Sequence, residues 1–217
     1  MPTAKKVKLV IDGMTGVGKS SLVEIVAGEL KLVPYAEIFE DKHRLLYKFF
    51  EDRTRWAFPM QVNFLNNSFQ QFKEASSLRK VVMDRSIFSD DIFARMYRHL
   101  GYLCAEEYDI YLGLLQNMMD LITPPHLMVF LRVETAEAMR RIHKRKRPEE
   151  LAVEESYWSQ LNNYYNEHYE NYTGGRLLTI EVSRLDFVHK QEDRLYVLEK
   201  IKNALKIQSK VRSKSKV

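Results

Sequence analysis

The sequence predicts an α/β fold: a five-stranded parallel sheet with helices on both faces. Three observations predict it. Short strand-like apolar runs alternate with segments of helical periodicity along nearly the whole chain. A glycine-rich turn joins the first run to the first helix. The 217 residues, 45% apolar and 29% charged, suffice for one compact domain.

Lys6–Asp12 reads as a buried strand, after which Leu22, Ile25, Val26 and Leu30 fall at helical spacing. Leu32–Phe39 is a second strand with Glu37 near its end. Val62, Leu65, Phe69 and Phe72 form the stripe of a helix predicted to start near Pro59, since proline suits a first turn. Val81–Asp84 is a third strand, followed by a helix from about Asp90 to His99. Tyr108, Leu112, Leu115, Met119 and Ile122 mark a long helix. Leu127–Leu131 is a fourth strand, Thr135–Lys144 a helix, 145–155 a charged connection, and Tyr157–Tyr172 another helix. Leu177–Glu181 supplies the fifth strand and Asp193–Ile207 the last helix. A parallel sheet of this kind places its site at the carboxyl ends of the strands.

The turn after the first strand is Gly13-Met14-Thr15-Gly16-Val17-Gly18-Lys19-Ser20, a complete G-x-x-x-x-G-K-[ST] phosphate loop between strand and helix. Its backbone N–H groups can turn inward on phosphate oxygens, helped by the helix N-terminus. Lys19 is placed to reach the β- and γ-phosphates, and the Ser20 hydroxyl to ligate magnesium. No N/T-K-x-D segment for reading guanine in a GTPase is present.

The net charge of +5 is no nucleic-acid signature. Lys210, Arg212, Lys214 and Lys216 crowd a tail, 208–217, that reads as solvated and disordered; residues 1–207, the single domain, are nearly neutral without it. No run approaches a membrane span, and Cys104 is the sole cysteine, so the expectation is a cytoplasmic protein without disulfides.

Two further segments narrow the class: Asp84-Arg85-Ser86-Ile87-Phe88-Ser89-Asp90 after the third strand, and Arg140-Arg141-Ile142-His143-Lys144-Arg145-Lys146-Arg147-Pro148-Glu149-Glu150. With the phosphate loop they resemble the deoxyribonucleoside kinase family, especially its bacterial deoxyadenosine/deoxyguanosine kinase branch. The resemblance spans Val10 to about Ile201 and implies a P-loop kinase fold with a short arginine-rich lid. It implies transfer of a phosphoryl group from ATP, with Mg2+, to the 5′-hydroxyl of a deoxynucleoside, and a homodimer. By resemblance Glu37 is the general base and Arg85 holds the acceptor oxygen and phosphoryl group. Asp84 faces magnesium or is itself the proton acceptor. Gln61 and Asp90 read the base; Arg141, Arg145 and Arg147 are lid arginines. Glu150 bonds the sugar 3′-hydroxyl, and Asp186-Phe187 form the loop beneath the donor base. Phe50 stands where the family has a tyrosine at the 3′-hydroxyl, with Tyr47 one helical turn earlier as a substitute hydroxyl. Ser68 stands where purine readers carry an arginine beside the aspartate, and Ala94 where an aromatic is usual. Asp90 as an acceptor favours bases with an exocyclic amino group, adenine, cytosine or guanine, over thymine; the expected substrate is a purine deoxynucleoside, deoxyadenosine first, with deoxycytidine second and thymidine poor. A thymidylate-kinase-like monophosphate kinase and a nucleotide-sensing module without turnover are the rival readings.

Overall fold

The computed structural model describes residues 7–37, 41–151 and 153–214, with side chains described to residue 206 except at 148 and 149. In chain order the elements are β1 (Leu9–Gly13), α1 (Lys19–Leu30), β2 (Val33–Tyr35), α2 (Leu45–Glu51), α3 (Arg53–Ser77) and β3 (Val81–Asp84). They continue with α4 (Asp91–His99), α5 (Ala105–Met119), β4 (Met128–Arg132), α6 (Thr135–Arg145), the single turn α7 (Pro148–Leu151), α8 (Glu155–Glu170), β5 (Leu177–Glu181) and α9 (Gln191–Lys214). The five strands pair in parallel in the order β2-β3-β1-β4-β5. Helices supply the crossovers that parallel neighbours require.

Every residue of β1 and β3 is buried, because helices cover both faces there. From β1 the chain runs out to the edge strand β2, comes back to β3 beside β1, then crosses to β4 and β5 on the other side. The strand order therefore reverses at β1, and a crevice opens beyond its carboxyl end. The phosphate loop lies there.

Several boundaries differ from expectation. Helix α3 starts at Arg53, not near Pro59: the Asp52 side chain accepts from the Arg55 N–H at 3.1 Å and caps the helix. Pro59 is interior and removes one backbone donor from the ladder. Helix α2 was not anticipated; the Asp41 carboxylate accepts from the N–H groups of Leu45 (2.5 Å) and Leu46 (2.9 Å) at its start. Strand β2 ends at Tyr35, so Glu37 follows the strand, and 38–39 lie outside the described residues. Pro34 is tolerated in β2 because the strand is at the sheet edge. The 145–155 connection contains α7, and α9 is traced to Lys214, past the Ile207 end expected for it. No helix among the described residues is long and apolar enough to cross a membrane.

Candidate active site

Strand β1 delivers the chain into the loop through Gly13, whose φ of 147° and whose approach to the Leu131 carbonyl, 2.7 Å from where a Cβ would lie, require glycine. The Lys19 ammonium donates to the carbonyls of Gly13 (2.9 Å) and Met14 (3.2 Å). Burial draws its pKa below the usual lysine value, against the opposing pull of Asp84. Asp12, which the sequence reading passed over, is fully buried beneath this loop. One of its oxygens accepts from the Gly13 N–H at 2.6 Å and the other from the Tyr169 hydroxyl at 2.7 Å. An acid ending a buried strand is the signal that could have found it, since a buried carboxylate demands donors.

Strand β3 brings in the next pair. The Ser20 hydroxyl donates to Asp84 Oδ2 at 2.5 Å, while Asp84 Oδ1 is buried without a hydrogen-bond partner among the described residues. Burial raises the Asp84 pKa, and Lys19 restrains the rise. Arg85 turns the chain with a φ of 57°, a strained value for a side-chain-bearing residue, and its N–H donates to Ile11 O at 2.9 Å. Its guanidinium lies 3.4 Å from Glu37 and 4.6 Å from the Phe93 ring centre on α4. The aromatic expected at Ala94 is thus supplied one residue earlier.

Gln61 on α3 and Asp90 at the start of α4 are both buried and share a cavity wall with Phe50, Phe64 and Ser68. Burial pushes the Asp90 pKa up to about 7, and a hydrogen bond from the Ser68 side chain opposes the rise. Ser68, read from sequence only as a missing arginine, therefore fixes one side of Asp90. Tyr47 does not replace the hydroxyl absent from Phe50: it is exposed, bonds Glu51, and is not on the cavity wall.

The basic segment divides in two. Arg145 and Arg147 both pair with Glu150, Arg147 at 3.7 Å. Arg141 instead faces inward. Its guanidinium donates to Glu137 (2.6 Å), to Val17 O of the phosphate loop (3.0 Å), and to Val182 O (2.8 Å) and Leu185 O (3.1 Å) after β5. It ties the phosphate loop to the Asp186-Phe187 loop, whose Phe187 ring would lie 2.8 Å from a Cβ on Gly18. Asp193 and Arg194 of α9 hold that loop from behind, accepting from Asp186 N (2.7 Å) and donating to Phe187 O (3.1 Å). Arg141→Met is expected to raise the KM for ATP roughly tenfold with little change in the KM for the acceptor. A fall in kcat alone would place Arg141 on the transferring group instead.

One cavity of about 1110 Å³ joins these parts; the residues given a site role from the sequence line it, apart from Gly13, the buried Met14, Tyr47 and Ala94. That volume exceeds the ~300–1,000 Å³ of a single-ligand site and suits two substrates end to end. A continuous chain of contacts leads from one end to the other: Ser20 to Asp84, Arg85 to Glu37, and Arg85 to Phe93, three residues beyond Asp90.

A phosphate loop at the switch point of a parallel sheet, with an acid–arginine pair on the adjacent strand and an acceptor pocket beyond, defines a P-loop phosphotransferase. More narrowly, the chain belongs to the deoxynucleoside kinase family, whose model matches residues 9–206. It is 36% identical over 207 residues to the deoxyguanosine kinase of Lactobacillus acidophilus, covering 91% of this chain and 90% of that one. The deoxyadenosine kinase of the same organism is 32% identical over 208 residues, covering 91% and 96%. Among solved structures, deoxyadenosine kinase from M. mycoides with bound dATP superposes with a TM-score of 0.78 at 26% identity, covering 90% of this chain and all of that one (100%). The chain is an ATP-dependent deoxynucleoside kinase.

Proposed function

We propose that the chain transfers the γ-phosphoryl group of ATP to the 5′-hydroxyl of a purine deoxynucleoside in nucleotide salvage. The observation that carries this reading is the single cavity with a phosphate loop at one end and the buried Asp90–Gln61 pair at the other. The donor phosphates lie on Gly13–Ser20, with Lys19 leaving its loop carbonyls to meet them. The Ser20 hydroxyl and Asp84, with its unpartnered oxygen, offer hard oxygen ligands that fit Mg2+, which when bound neutralises charge on the donor phosphates. Glu37 accepts the 5′-proton, Arg85 holds the acceptor oxygen, and Arg145 and Arg147 turn from Glu150 to the transferring group. Phe187 and the Arg141-braced loop flank the donor base. Glu150, released by the lid arginines, meets the sugar. Exposed Ile110 and Leu112 on α5 support a homodimer built on helices.

Within the purines, ionised Asp90 accepts the amino group of adenine. The Lactobacillus deoxyguanosine kinase relatives favour a second reading, and an Asp90 that titrates at about 7 does not exclude a 6-oxo base. Incubation with ATP, Mg2+ and each of four deoxynucleosides tests the proposal. The purine monophosphates should form with kcat/KM roughly ten- to hundredfold above thymidine, whose carbonyls leave Asp90 unpaired. Thymidine as best substrate would overturn the base reading, and phosphorylation of thymidylate alone would favour a monophosphate kinase.

A further inference from the structure

Tyr111, on α5, is fully buried and lines the cavity, yet its hydroxyl has no hydrogen-bond partner among the described residues. The other two buried tyrosines at the front of the cavity, Tyr97 and Tyr157, satisfy each other at 2.7 Å. Asp90 carries the matching deficit. Ser68 occupies one side of its carboxyl, and Oδ2 is buried and unpartnered. Helix α5 packs against α4, and both groups face the same cavity; burial is the largest influence on the Tyr111 phenol, raising its pKa well above the usual value, and the Asp90 charge is the next. Two desolvated polar atoms left open on the wall of the same cavity mark a place where a ligand supplies the missing partners.

We propose that the Tyr111 hydroxyl reads the six-position of the purine base together with Asp90, donating its proton to a 6-oxo group. The inference rests on the deoxynucleoside kinase reading above and deepens it. A 6-amino purine can direct an N–H straight at the Asp90 carboxylate. A 6-oxo purine offers only lone pairs there, which a carboxylate repels. A phenol on the same cavity wall adds a donor to that acceptor, because O–H can turn to the ligand while Asp90 takes the ring N–H. The Gln61 amide, with both a donor and an acceptor, suits either base. Tyr111 therefore makes deoxyguanosine acceptable to a site whose aspartate alone selects deoxyadenosine.

Tyr111→Phe keeps the ring and removes only the hydroxyl. With the full-length protein, ATP and Mg2+, kcat/KM should fall roughly ten- to hundredfold for deoxyguanosine and deoxyinosine, which share the 6-oxo group, and by less than about threefold for deoxyadenosine. The KM for ATP and the thermal midpoint report on the fold and should be unchanged. A merely structural hydroxyl, already unpartnered, would leave all three specificity constants alone or lower them by one common factor; either result overturns the proposal. Failure of the unmodified protein to phosphorylate any deoxynucleoside would overturn the kinase reading itself, and this inference with it.

Discussion

Glu37→Gln is expected to lower kcat by about 10²–10⁴-fold while leaving the KM values for ATP and the deoxynucleoside nearly unchanged. The isosteric amide retains a hydrogen-bond acceptor but cannot take a proton, and the proton moves only in the transition state. The two candidate carboxylates differ in their surroundings. Asp84 is engaged by the Ser20 hydroxyl at 2.5 Å and lies beside Lys19, at the phosphate end. Glu37 pairs with Arg85 at 3.4 Å, with 42% of its side chain open to solvent. Steady-state kinetics of Glu37→Gln and Asp84→Asn decide between them. Near-normal turnover in the first and none in the second would make Asp84 the base.

Replacing Arg145 and Arg147 together by alanine should reduce kcat by roughly 10²–10³-fold, the scale for losing preorganised charge at a transferring group. The KM for ATP should rise only a few-fold, by contrast with Arg141→Met. In the free protein both arginines are paired to Glu150, and their side chains are 35% and 61% exposed. The arginine ends are partly open to solvent while Glu150 is only 13% exposed, so exchanging Glu150 for phosphate leaves Glu150 to find a new partner. Single-turnover rates against ATP concentration separate the two effects. Loss of ATP binding in proportion to rate would mean that the arginines already hold the ground state.

What could be read from the sequence was what is local. The phosphate loop is eight consecutive residues whose chemistry follows from their order. Strands β3 and β5 were bounded correctly because runs of Val, Leu and Met or Ile stop at an acid. Helix starts depart from expectation for a local reason too: Asp41 and Asp52 cap them, and Pro59 lies inside its helix rather than in the first turn. The remaining misses are tertiary. Tyr169 and Asp12 are 157 positions apart, and Arg141 reaches Val17 across 124; no periodicity announces such pairings. Arg141 and Arg145 share a helix face by spacing, yet one is sequestered by three loop carbonyls and the other ion-paired at the cavity mouth. Ser68 looked like a loss because a short hydroxyl was compared with a long guanidinium, whereas its side chain bonds Asp90 directly.

Asp90 is also a liability that the fold carries for its substrate. In an unfolded chain the carboxyl gives up its proton near its ordinary value of 3.8; in its buried place it does so at about 7. The folded form therefore holds that proton more tightly than the unfolded one does. Its contribution to stability is greatest below about pH 4, declines as pH rises through the interval to about 7, and beyond that the whole penalty is in force. A base that donates to the carboxylate returns much of what burial took away. Ligand and temperature tolerance are thereby joined: the Asp90 contribution to stability is least favourable in neutral and alkaline solution, where a ligand that donates to its carboxylate would protect most.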